Sequence, residues 1–125
     1  TQVDVVLKEG AAVLDADDTL VSELAPLCDG EVIFFARERS NPTVTAHLGE
    51  GKRAVFLLDT RLVLAKGRDE TLLLDLASSP LSGSLSDPDA ASHVLAAVGA
   101  AWALGLSPEI IRAGVETFEL DPATI

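Results

Sequence analysis

The 125-residue chain carries 20 Asp and Glu against 9 Lys and Arg, a formal charge of −11 at neutral pH. That balance argues against nucleic acid or an anionic membrane as a direct partner, because phosphate is held by clustered basic side chains. The length suits one domain or a piece of a larger one. With 48% hydrophobic but only 4% aromatic residues, its core must be built from Leu, Val, Ile and Ala.

In chain order, residues 1–9 alternate poorly and fit either a helix or a strand. Residues 11–15 form a short apolar run, the pattern of a buried strand. The segment Asp17–Cys28 follows with Leu20, Val21, Leu24 and Leu27 at helical spacing, and Asp17 or Asp18 is placed to cap its first turn. Pro26 disturbs its last turn, and Asp29-Gly30 ends it. Residues 31–36 (EVIFFA) read as the next strand. Beyond residue 36 the character changes. Residues 42–48 alternate, with Val44, Ala46 and Leu48 on one face and Thr43, Thr45 and His47 on the other, which predicts a strand with a solvent-facing His47. Glu50-Gly51 makes a turn. Residues 52–58, 61–66 and 70–74 are further short strands, spaced too closely for helical crossovers, so an antiparallel meander of three to four strands is expected. Residues 77–87 are rich in Ser, Gly and Pro and read as a loop. Asp87-Pro88 opens a long helix with a cap and a first-turn proline. Its apolar face runs through Ala91, Val94, Leu95, Val98, Ala101 and Trp102 to a stop at Gly105, with Trp102 anchoring it on the sheet. Ser107-Pro108-Glu109 opens a second helix whose apolar face is Ile110, Ile111, Val115 and Phe118.

Two stretches carry a family resemblance. Val13-Leu14-Asp15-Ala16-Asp17-Asp18-Thr19-Leu20-Val21 is similar to the Val-Leu-Asn-Ala-Asp-Asp-Pro-Leu-Val segment of the Mur-ligase-type central domain, in the form found in cyanophycin synthetases. Some 80 residues later, the alanine-rich run from Ala96 to Leu106 with its glycine stop, and the short helix from Ser107 to Gly114, resemble the end of the same domain. The resemblance implies an α/β fold: part of a Mur-ligase central-domain-like α/β sheet with an inserted antiparallel β-meander and two C-terminal helices. Residues 1–125 would be a single unit of that domain, with a strand-rich part over 31–76 and a helical part over 87–118. It also implies a parent that uses ATP and Mg²⁺ to activate a carboxylate as an acyl phosphate and form an amide bond, polymerising aspartate and arginine. The remainder of that ligase would be the partner.

The residues bear unevenly on that implication. Asp15 stands where the family has Asn, and ionised Asp only accepts hydrogen bonds where Asn also donates. The family's long helix opens with His-Asn-x-x-Asn beside the adenine. Counting back from Trp102 sets Asp89, Ala90 and His93 on those three positions, and none matches. Asp15 and His93 are therefore the cofactor-binding candidates. The Asp15, Asp17, Asp18 cluster has oxygen ligands of the kind Mg²⁺ takes, but its spacing is not that of a calcium loop and one carboxylate is needed for capping. No metal site is assigned. The family's glycine-rich loop ending in Gly-Lys-Thr does not occur, and Gly51-Lys52-Arg53 lacks the glycines, the hydroxyl and the following helix that a phosphate cradle needs. No catalytic residue is assigned, and the 125-residue chain is expected to be inactive with no cofactor of its own.

Lone Cys28 supports neither a disulfide framework nor a thiolate metal site and reads as a buried structural thiol. Lys52, Arg53, Arg61, Lys66 and Arg68 read as ordinary exposed hairpin charges, with a patch for an acidic polymer as the alternative. No signal peptide or membrane-length apolar run is visible, which points to the cytoplasm. Thr1 and Ile125 both read as boundaries within a longer sequence. The competing reading is a degenerate Mur-like module that binds a partner or forms a homo-oligomer without ATP chemistry.

Overall fold

The computed structural model describes residues 5–6, 12–18, 20, 23, 30–78 and 82–116. They form one six-stranded mixed sheet in the order β1-β2-β3-β4-β5-β6. Strands β2 (Ala12–Asp15), β3 (Val32–Ala36) and β4 (Arg53–Leu58) run parallel. The two-residue β1 (Val5–Val6) lies antiparallel to β2, which settles part of the ambiguous first segment as strand. On the other side, β5 (Arg61–Lys66) and β6 (Asp69–Asp75) continue antiparallel from β4 through two-residue turns. The expected helix over residues 17–28, Cys28 included, lies mostly outside the described residues. At its start, the Asp18 carboxylate accepts the Leu20 amide at 3.0 Å, a capping contact of the expected kind.

Strand periodicity sorts the core into two layers. Val13, Ile33, Phe35, Val55 and Leu57 face helix α2 (Pro88–Ala103) and Ile111 of helix α3 (Pro108–Glu116). Ala12, Leu14, Phe34, Ala54 and Phe56 face helix α1 (Pro42–Gly49) through Val44 and Leu48. Burial on both faces is why β3 is an unbroken apolar run rather than an alternating one.

Helix α1 corrects the expected strand at residues 42–48, and the meander accordingly has three strands. Asn41 caps it, accepting the Thr43 and Val44 amides at 2.9 and 3.2 Å, and Pro42 takes the first helical position, where a missing N–H costs nothing. Those end signals outweigh the period-two pattern and the two threonines. On a helix, Val44, His47 and Leu48 share a face, so His47 is buried instead of facing solvent. Its Nε2–H donates to the Val32 carbonyl at 2.7 Å, and its ring meets Phe34 edge to face.

The later elements follow their signals more closely. Asp87 accepts the Asp89 and Ala90 amides with Pro88 next to it, and α2 ends before Gly105 at a φ of +92°, where a side chain would be strained. Ser107 caps α3 through the Ile110 amide at 3.3 Å. The expected loop at 77–87 is partly ordered as 3-10 turns at Leu76–Ser78 and Ser82–Ser86. On α3, Ile111 is buried and Val115 partly so, but Ile110, expected on the apolar face, is 58% exposed. Phe118 lies outside the described residues. Trp102 packs at the rim of the core, with the Arg53 guanidinium stacked 4.7 Å from its ring centre. Arg53 in turn pairs with Glu31, whose carboxyl it holds below the usual range.

Gly99 sets the distance between α2 and the sheet. An added Cβ there would lie 2.8 Å from Val13 Cγ1, inside the van der Waals limit. Alanine would gain about 1 kcal/mol of helix propensity, but overpacking a buried contact costs about 1–3 kcal/mol. Gly99→Ala is therefore expected to lower the urea midpoint, read by circular dichroism.

His47 gives a second expectation. Burial, ahead of the opposing hydrogen bond to Val32, pushes its pKa below 6.5. The unfolded chain thus takes up the proton first as the pH falls. The stabilisation is complete above the unfolded value and is lost on going down through it to the folded one. Urea midpoints should fall between about pH 7.5 and about pH 5.5. His47→Gln, which keeps a donor but does not titrate, should flatten that slope. An unchanged slope would assign the effect to other groups.

Candidate functional site

In a parallel α/β sheet, the loops that leave the carboxyl ends of the strands surround the crevice where ligands bind. Here those ends are Asp15 on β2, Ala36 on β3 and Leu58 on β4. Helix α2 runs back against them, so its first turn closes the same edge. A cleft of about 340 Å³ lies between Asp15, Asp17, Asp18, Arg37, Asp89 and Ser92. A second cleft of about 700 Å³ shares Arg37 and Pro88 with it and extends over Arg39, Leu58, Thr60 and Leu85.

The carboxylates at this edge are turned onto the chain itself. Asp15 accepts the Asp17 amide at 2.8 Å. Asp17 accepts the Arg37 amide at 3.0 Å and the Asn41 side-chain N–H at 3.1 Å, with the Arg37 guanidinium 3.5 Å away. Asn41 also donates to the Ala16 carbonyl at 3.1 Å while its oxygen caps α1. One amide side chain therefore joins the loop after β2 to the loop after β3. Burial raises the Asp15 carboxyl above its ordinary value, and the charges of Asp17 and Asp18 add to that. The Asp17 amide and Arg37 oppose the rise. With these oxygens so engaged, no group of three or more His, Cys, Asp or Glu among the described residues is arranged to hold a metal ion.

The two candidate residues are not brought together in this cleft. Asp15 lines it. His93 is exposed one turn further along α2, its Nδ1–H donating to the Asp89 carbonyl at 2.6 Å, and it borders a separate apolar groove between α2 and α3. Asp89 lines the acidic cleft. Arg37, Asn41 and Ser92 join the site without having been singled out from sequence. Asn41-Pro42 was a readable helix start, since Asn and Pro suit the cap and the first position. Ser92 falls on the same α2 face as Asp89 and Ala96, a polar residue in an otherwise apolar stripe. Arg37 gave no local signal, because its partner is 20 residues away.

Two of the basic residues noted in sequence are paired: Arg53 with Glu31 beneath Trp102, and Lys52 3.7 Å from Glu50; Arg39, which lines the larger cleft, is paired with Glu70.

Removing the Asn41 amide tests how far this edge depends on it. Asn41→Ala is expected to cost about 1–2 kcal/mol through the lost cap, with a further loss from the freed Ala16 carbonyl. Asn41→Asp keeps a capping oxygen but places a second carboxylate against Asp17, so it should recover only part of that stability. Full recovery in urea denaturation would show that the cap alone matters.

No protein-family model matches the chain. It is 32% identical over 111 residues to a cyanophycin synthetase of Geminocystis herdmanii, which covers 88% of this chain and 13% of that protein. It is 30% identical over 115 residues to one from a Synechocystis species, covering 92% and 13%, and 32% identical over 114 residues to one from a Nostoc species, covering 90% and 12%. The chain thus spans about an eighth of the length of the curated relatives it matches. Along about nine-tenths of its own length, it is a relative of the cyanophycin synthetases, similar to one segment of those longer proteins.

Proposed function

We propose that this chain is a piece of an ATP-dependent amide-bond ligase of the cyanophycin-synthetase type. Residues 1–125 would act as one unit of a Mur-ligase-like central domain, with residues 31–76 and 87–118 as its strand-rich and helical parts. The observation that carries this reading is the similarity over about 90% of the chain at 30–32% identity. The cleft at the carboxyl ends of three parallel strands supports it, because that is where such a sheet places a ligand. In the parent, a carboxylate would take the γ-phosphoryl of ATP to give an acyl phosphate and ADP, and an amine would attack the acyl carbon, forming the amide as inorganic phosphate leaves and the amine loses a proton. Aspartate and arginine would be the polymerised substrates, as in the family the sequence resembles. The cytoplasm is the compartment that fits this chemistry.

The 125 residues fit the nucleotide poorly by themselves. Asp15, Asp17 and Asp18 each accept backbone donors, and no metal-holding group of three or more His, Cys, Asp or Glu occurs among the described residues. Ala90 offers no polar atom to adenine, and His93 borders a different groove. The phosphates would have to be held by a glycine-rich loop contributed by the rest of the parent. The role left to this segment is to wall the cleft, with Asp15 as its candidate nucleotide contact and His93 lying off it. The reading as a degenerate module without ATP chemistry draws on the same mismatches and on the net charge of −11.

Two measurements separate these readings. The isolated chain is expected to show no ATP hydrolysis and no saturable ATP binding below about 1 mM by calorimetry. Turnover by the isolated chain would contradict that. The complete protein encoded by the gene carrying this segment is expected to release ADP in step with amide formation. Failure to couple the two would remove the ligase reading and leave the binding module.

A further inference from the structure

Helices α2 and α3 enclose a second depression, of about 440 Å³, on the outer side of α2. It is lined by the small residues Ala97, Ala101 and Gly114 together with Val94, Ile111 and Val115. Small residues in the lining leave room for large incoming side chains. Two large hydrophobic residues line it while exposed, Leu106 (41%) and Ile110 (58%), and Leu104, two residues before Leu106 in sequence, is 61% exposed. Scattered exposed apolar residues are ordinary on a protein surface. A contiguous group around an apolar depression marks a contact surface. The core does not need them, since α3 is already anchored on the sheet side by Ile111.

We infer that this groove is where another part of the same longer protein packs, inserting an apolar row of side chains between α2 and α3. The inference rests on the ligase reading above. Two observations select that occupant. About seven-eighths of the length of each matched relative lies outside the segment this chain represents, so most of the protein that could cover the groove is not in these 125 residues. A second copy is the poorer fit: each chain carries −11, and bringing two together sets those charges against one another. A covalently joined segment also associates at a high effective concentration, so a modest apolar contact suffices.

The test compares hydrogen exchange over residues 93–115 in the 125-residue chain and in the complete protein encoded by its gene. Slower exchange at Leu104, Leu106 and Ile110 in the complete protein is expected, by about tenfold or more. The double variant Leu106→Glu, Ile110→Glu should abolish that difference while leaving the unfolding midpoint of the 125-residue chain nearly unchanged, because both residues are exposed there. Equal exchange in a complete protein that still forms amide bonds would overturn the docking proposal and leave the ligase reading standing. A concentration-dependent dimer of the 125-residue chain by light scattering, lost in the double variant, would overturn it in favour of a second copy. A complete protein without ligase activity, but with the groove protected, would remove the ligase reading and retain the docking surface.

Discussion

The sheet is buried on both faces, and that constraint governs everything placed around it. Apart from Asp15, Arg53 and Leu58 at strand ends, the residues of β2, β3 and β4 belong to one of two apolar layers, and neither layer can be opened without exposing large side chains such as Phe35 or Phe56. The close approach of Gly99 to Val13 fixes the depth at which α2 lies on one layer. The stacking of Arg53 between Trp102 and Glu31 ties the other end of the same helix to the amino ends of β3 and β4. Held at both points, α2 presents its first turn to the carboxyl edge, where the clefts form.

The edge is organised by hydrogen bonds more than by apolar packing. Asn41 reaches the loop after β2 with its N–H and caps α1 with its oxygen, so the start of a helix on one face positions the acidic loop in front of the other. Asp17 receives that contact together with the Arg37 amide. The aspartates thus hold the loops together through their accepted bonds. The acidic turn, prominent in the sequence, therefore acts first as the strand-to-helix junction of the fold. It also lines a cleft at the carboxyl edge of the sheet.

His47 and His93 differ in the same way. One is drawn into the core by an eight-residue helix, where burial lowers its pKa. The other stays on the surface, bonded back to its own helix. Both are single histidines flanked by polar and apolar residues in sequence, so only their three-dimensional surroundings separate them.

Much of the architecture could be read from the chain alone. The apolar runs at 11–15 and 31–36, the closely spaced strands between residues 52 and 74 and the cap-and-proline starts at Asp87-Pro88 and Ser107-Pro108 are local signals, carried by neighbouring residues and by periodicity. The similarity to one segment of the cyanophycin synthetases was likewise legible in two stretches of sequence. The strand expected at 42–48 failed because alternation competed with the stronger helix start at Asn41-Pro42, and burial of the Val44, His47, Leu48 face completed the helix. What only the tertiary structure decided are the contacts between distant residues: Arg37 and Asn41 on Asp17, Arg53 beneath Trp102, and Ser92 in the same cleft as Asp15. These depend on which strand ends lie side by side. Strand order is set by burying both faces of the sheet at once, and no local window of sequence contains that information.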